Sequence, residues 1–175
     1  MVDFSNQPTT LDQQRIEQVL SGFDLGNARL LHVGVGDSGL AARFHARCKS
    51  IDGITVSEQE MTHGQHLAFS NYRVFLLNKY HCDFPQTLRP GYDYIIDNNP
   101  SSFACCTFHY AQMLNHYRWA LVPGGRILTD KLGMSWVCQD RRWRMSYKDL
   151  VKVGARFNLE PQRLTDDVYA LCRKA

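Results

Sequence analysis

An α/β fold is what this sequence predicts: three layers, with a mostly parallel seven-stranded sheet between helices and an antiparallel hairpin at its C-terminal end. Three observations carry it. Short apolar runs of strand length alternate with segments of helical spacing, the pattern of strands joined by crossover helices. One such junction, Ala28 to Phe44, passes from an apolar run through Gly34, Gly36 and Gly39 into a helix-like stretch. The last two strand-like runs are separated only by Thr165-Asp166-Asp167, which makes them a hairpin.

Leu11 to Phe23 has apolar residues at helical spacing, with Thr10 in position as an N-cap. Arg29 to Val33 reads as a buried strand, Leu40 to Cys48 as a helix, and Ile51 to Val56 as a second strand rich in β-branched residues. Glu58 to Phe69 reads as a helix and Tyr72 to Leu77 as a third strand. A turn-rich connection, Pro85 to Gly91, leads to a fourth strand, Tyr92 to Ile96. The long helix Phe103 to Leu121 is expected to stop at Pro123-Gly124-Gly125, where a donor is missing and two glycines follow. Arg126 to Thr129 makes a fifth strand. Ser146 caps a helix over Tyr147 to Arg156, and the strands Glu160 to Leu164 and Val168 to Cys172 close the chain.

At 175 residues the chain fits one domain, residues 1–175, with residues 1–27 as an N-terminal helical extension. A hydrophobic fraction of 44% and a charged fraction of 21% are those of a soluble globular protein. No apolar run approaches the roughly 20 residues of a membrane span. The polar N-terminus lacks the basic-then-apolar order of a signal peptide, so a cytoplasmic location is the default expectation. Cys48, Cys82, Cys105, Cys106, Cys138 and Cys172 include no C-x-x-C pair, so reduced thiols are expected and no metal site or redox motif is indicated. The net charge of +3 is modest, and the basic cluster Arg141, Arg142 and Arg144 around Trp143 reads as a solvated loop with an anchoring tryptophan. Nucleic acid is not the expected partner. A homodimer is compatible with the chain.

Gly34, Gly36 and Gly39 form G-x-G-x-x-G, with Asp37 and Ser38 inside it as candidate helix caps. Glycine permits positive φ in a tight turn and lets backbone approach a ligand, while free N–H groups at a helix start attract anionic or accepting groups. A nucleotide or a carboxylate-bearing cofactor suits such a turn.

With these features in place, residues 28 to 173 resemble a class I S-adenosylmethionine-dependent methyltransferase, a Rossmann-like fold. The glycine loop matches the family's loop after its first strand, and Leu121 to Gly125 matches its L-x-P-G-G turn. Gly53-Ile54-Thr55-Val56-Ser57 followed by Glu58-Gln59-Glu60 is similar to the G-x-T-L-S-x-x-Q segment of the cyclopropane fatty acid synthase branch. The resemblance implies S-adenosyl-L-methionine as cofactor, S-adenosyl-L-homocysteine as product, and O- or N-methylation of a small molecule. It places Gly34, Gly36, Asp37, Ser38 and Gly39 along the methionine part of the cofactor. Thr55, Ser57 and Glu60 stand at the ribose, Asn78 at the adenine, and Asp97 and Asn98 at the carboxyl edge of the fourth strand. Glu60 takes the place of that branch's glutamine. His32 stands where the family carries an acid. A neutral imidazole there accepts a hydrogen bond, whereas a protonated one repels the cofactor's ammonium group.

Methyl transfer from a sulfonium is a direct displacement, so positioning supplies much of the acceleration. For a hydroxyl or ammonium acceptor the candidate bases are His109 and Tyr110 after the fourth strand and His81 after the third. Competing readings are an aminopropyltransferase-type or other non-methylating enzyme with Asp97 as its catalytic aspartate, a nicotinamide-binding protein, and a non-catalytic binding protein on the same fold.

Overall fold

In a computed structural model, residues 3–136 and 141–174 are described, so Cys138 lies outside the described residues. The elements run α1 (Leu11–Ser21), β1 (Arg29–Val33), α2 (Gly39–Phe44), β2 (Ser50–Thr55), α3 (Glu58–His66), β3 (Tyr72–Leu76), α4 (Phe84–Thr87) and β4 (Tyr92–Ile96). There follow α5 (Thr107–Ala120), β5 (Leu121–Asp130), α6 (Lys131–Ser135), α7 (Tyr147–Phe157), β6 (Leu159–Arg163) and β7 (Val168–Arg173), with short 3-10 turns at His45–Arg47 and Arg141–Trp143. One seven-stranded sheet has the order β3-β2-β1-β4-β5-β7-β6. The pairs among β1 to β5 are parallel, and β7 runs antiparallel to both β5 and β6.

Strand alternation divides the core between the two faces. Leu31, Val33 and Ile95 pack with Met113, Leu114 and Tyr117 of α5 and Leu150 of α7. Leu30, Ile51 and Ile96 pack on the other face with Ile16 and Leu20 of α1 and with Leu40 and Phe44 of α2. Successive side chains of a strand point to opposite faces, so an apolar run fills both layers at once.

Several boundaries differ from the sequence expectation for local reasons. The second helix stops at Phe44, and a 3-10 turn completes its path. The fourth connection holds the short helix α4, with Pro85 in its first turn, where a missing N–H is harmless. α5 begins at Thr107 rather than Phe103, because Phe103 has φ +65° and Cys106 is extended as the N-cap. Pro123-Gly124-Gly125 does not follow α5 as a loop. The helix ends at Ala120, and the three residues lie inside β5 where its register with β4 shifts between Tyr92 and Tyr94. Gly124 has φ +79°, which supplies the irregularity. α7 carries a full capping box, with Ser146 and Asp149 satisfying each other's backbone N–H groups.

Candidate functional site

The chain leaves β1 through Gly34 at φ +76° and Gly36 at φ +51°. A Cβ on Gly34 would meet no atom within 4 Å, so its requirement is conformational and the space above it is open. Gly39 differs, since a Cβ there would lie 2.6 Å from Thr9 Oγ1 and its requirement is close approach. Asp37 accepts the Gly39 N–H at 2.9 Å. Ser38 occupies the N-cap of α2 with φ +59° but makes no side-chain cap. Its buried hydroxyl lies 2.9 Å from the Tyr72 hydroxyl instead, which corrects the expectation that it caps the helix. Thr10 likewise occupies the N-cap of α1 without a side-chain bond.

Beside this turn, β2 ends at Thr55 and α3 brings Glu60 back over it. Thr55 Oγ1 donates to Glu60 Oε2 at 2.6 Å, and the Gly36 N–H donates to the same oxygen at 3.3 Å. Ser57 caps α3, its hydroxyl accepting the Glu60 N–H at 3.3 Å. The Glu60 carboxylate is buried, and its second oxygen accepts the Phe4 N–H at 3.2 Å. Residues 4 to 12 therefore cross the carboxyl edge of the sheet. Phe4 meets Glu60, Thr9 meets Gly39, and Asp12 accepts from Asn98 Nδ2 at 2.7 Å. Sequence reasoning missed this strap, because nothing in a polar N-terminus marks contacts to residues 30 to 86 positions away.

His32 lies on β1 between Gly53 of β2 and Ile96 of β4. It is buried, its Nδ1 has no hydrogen-bond partner among the described residues, and burial pushes its pKa down to about 4. The ring is neutral at physiological pH. The folded pKa lies below the ordinary 6.5, so the unfolded chain binds more protons between these values. His32 is therefore expected to cost nothing above its unfolded pKa and progressively more as pH falls through the window, reaching about 3 kcal/mol at its lower end. Urea unfolding at about pH 7 and about pH 4.5 tests this. The wild type should lose more stability than His32→Gln, and equal losses would remove His32 from the acid response.

Asp97 follows β4 and is fully buried. Lys79 Nζ donates to its two oxygens at 3.1 and 2.9 Å, and also to the Asn99 carbonyl at 2.9 Å. The Tyr117 hydroxyl donates to Asp97 at 2.8 Å. Burial pushes the Lys79 ammonium down and the Asp97 charge opposes that shift. Burial, and then Asp97, push the hydroxyls of Tyr110 and Tyr117 up, so both remain donors. Lys79 was not singled out by sequence reasoning. The signal was a lone lysine between Leu77 and Tyr80, just past the end of a strand.

The remaining candidates are dispersed. Asn78 is exposed and its Oδ1 accepts the Tyr80 N–H at 3.0 Å. Tyr110 donates to Met145 Sδ at 3.2 Å and packs against Trp143. His81 lies on the surface with Nδ1 3.2 Å from Asp83. His109 Nδ1 lies 3.0 Å from Cys105 Sγ and 3.2 Å from Cys106 Sγ. Glu60, Thr55 and the Gly36 N–H are the groups that meet at the ends of β1 and β2. Beside them stand open space over Gly34 and, on β1, a buried neutral imidazole whose Nδ1 has no partner among the described residues, a set able to offer acceptors to hydroxyl and ammonium groups.

No family model and no curated protein matches the sequence. Solved structures do match. NodS, an N-methyltransferase from Bradyrhizobium japonicum solved with S-adenosyl-L-homocysteine, is 13% identical, with a TM-score of 0.68 over 96% of this chain and 89% of its own. CalS10, an amino pentose methyltransferase from Micromonospora echinaspora solved with S-adenosylmethionine, is 14% identical, with a TM-score of 0.66 over 92% of this chain and 88% of its own. The magnesium protoporphyrin IX methyltransferase of Synechocystis is 14% identical, with a TM-score of 0.63 over 92% and 77%. At these identities the likeness is one of fold, and the fold is that of the class I S-adenosylmethionine-dependent methyltransferases. No helix among the described residues is long and apolar enough to cross a membrane.

Proposed function

We propose that this chain transfers a methyl group from S-adenosyl-L-methionine to a small-molecule acceptor, releasing S-adenosyl-L-homocysteine. The observation that carries the reading is the buried Glu60 carboxylate, held by Thr55 and the Gly36 N–H beside two glycines at positive φ. Glu60 is the acceptor for the ribose hydroxyls, with Thr55 and Ser57 orienting it. This is the part of the site that the second-strand similarity to the cyclopropane fatty acid synthase branch supports. Gly34, Gly36, Asp37, Ser38 and Gly39 line the methionine part, Asn78 the adenine, and Asp97 and Asn98 the edge after β4. Neutral His32 accepts from the ammonium group through an unshared nitrogen, since a cation there would repel it.

The cofactor supplies a methyl group already activated on a sulfonium. The chain's own task is to hold an acceptor in line with it and to exclude water. For a hydroxyl or ammonium acceptor His109 is the candidate base, through Nε2, because its Nδ1 faces two thiols. Tyr110 on α5 and His81 after β3 are the alternatives. A small-molecule acceptor is supported by neighbours that act on an amino pentose and on a magnesium porphyrin. The aminopropyl reading has less support, because both oxygens of Asp97 are bound by Lys79.

Isothermal calorimetry with S-adenosylmethionine and S-adenosylhomocysteine tests the proposal. Saturable binding of both, at one site per chain, is the expected result. Binding of neither would overturn it.

A further inference from the structure

The start of α5 gathers three soft ligand atoms, two thiol sulfurs and the imidazole Nδ1, none of which takes part in the proposed methyl transfer, where His109 would act through Nε2. Cys105 Sγ and Cys106 Sγ are 3.8 Å apart, and His109 Nδ1 lies 3.0 and 3.2 Å from them. All three atoms fall within 4.8 Å of one another. From these distances we propose that Cys105, Cys106 and His109 bind one zinc-class divalent cation.

The spacing fits the chemistry. A tetrahedral zinc site with Zn–S of about 2.3 Å and Zn–N of about 2.0 Å has S···S edges of about 3.8 Å and S···N edges of about 3.5 Å. The thiols already stand at the first distance, and the imidazole reaches the second by moving out a few tenths of an ångström. The first turn of α5 accounts for Cys106 and His109, and the extended backbone before it brings Cys105 alongside. Cys106 is the N-cap, so His109 falls one turn later on the same face, three residues from one thiol and four from the other. A thiolate at the N-cap also gains from the partial positive charge of the helix end. The Cys105 carbonyl accepts from Arg142 Nη2 at 3.5 Å, which ties the segment to the 3-10 turn that follows α6. Two thiolates and an imidazole favour zinc or cadmium over hard cations such as magnesium.

Three protein ligands leave a fourth position. Cys105 is exposed, so that position is filled from outside the chain, by water or by a coordinating ligand. With an ion on Nδ1, the proton of the neutral ring sits on Nε2. His109 is then a ligand and no longer a base, so in the metal-bound chain the acceptor's proton falls to the alternatives already named, Tyr110 or His81. The missed sequence signal is Cys-Cys-x-x-His at a helix start, which a search for C-x-x-C passes over.

Titration of the reduced full chain with cadmium ion alone, followed by thiolate-to-metal charge-transfer absorption, tests the site without any turnover. A band saturating at one ion per chain is expected in the wild type. It should vanish in the Cys105→Ser, Cys106→Ser double variant, and His109→Ala should weaken binding by at least the roughly 10–100-fold that loss of a ligand's own supporting partner costs. Absence of the band in the wild type would overturn the proposal. So would an undiminished band in the double variant, which would assign the ion elsewhere, for instance to the surface group His81, Cys82 and Asp83.

Discussion

Alanine in place of Glu60 is expected to weaken S-adenosylhomocysteine binding by about 100-fold. Under the proposed function, the buried carboxylate accepts from ribose hydroxyls, and charge-assisted hydrogen bonds of this kind are worth ~1.5–3 kcal/mol each. Losing about 2.7 kcal/mol corresponds to that factor. The fold should survive, because the change removes an acceptor from donors that water can reach once the side chain is gone. Calorimetry with S-adenosylhomocysteine, alongside a melting curve for each protein, separates affinity from stability. An affinity within about threefold of wild type would remove Glu60 from the ribose.

Methionine in place of Lys79 destabilises the chain by about 3–5 kcal/mol, because Asp97 then keeps a buried charge without its counter-ion. Both Asp97 oxygens are engaged by the ammonium in the native chain, and Tyr117 alone replaces little of that. For a domain of this size the melting temperature should fall by roughly 10 °C or more. Adding Asp97→Asn to Lys79→Met should recover part of the loss, since no unpaired charge remains. Urea unfolding of the two variants is the measurement. A single variant within about 1 kcal/mol of wild type would mean that the pair contributes little.

The fold was legible because its signals are local. Arg29–Val33 and Tyr92–Ile96 are apolar runs with sharp ends, and Ser146 with Asp149 announces α7. Pro123-Gly124-Gly125 misled for an equally local reason. Those residues usually interrupt structure, and only the register of β5 against β4 reveals that a strand passes through them. In the site, Thr55 and Glu60 were singled out only through the resemblance of the second-strand segment, and the hydrogen bond between them, five positions apart across a strand end and a helix start, came from the structure. The pairs Lys79 with Asp97 and Phe4 with Glu60 were not legible in the sequence. Their partners lie 18 and 56 residues away, and no periodicity encodes such pairs. The soft cluster on α5 lay between these cases, with contiguous residues whose meaning depends on where Cys106 caps the helix.

The Phe4 contact has a consequence for how the site fills. A hydroxyl reaching Glu60 Oε1 does so in exchange for a backbone N–H already seated there. Measured affinity in the full chain is then a difference between two bonds, and the apparent dissociation constant rises with the fraction of molecules whose N-terminus is in place. Under the proposed function, Phe4 is thus a built-in competitor for Glu60. Under that reading its displacement raises the ligand concentration at which half the molecules are occupied.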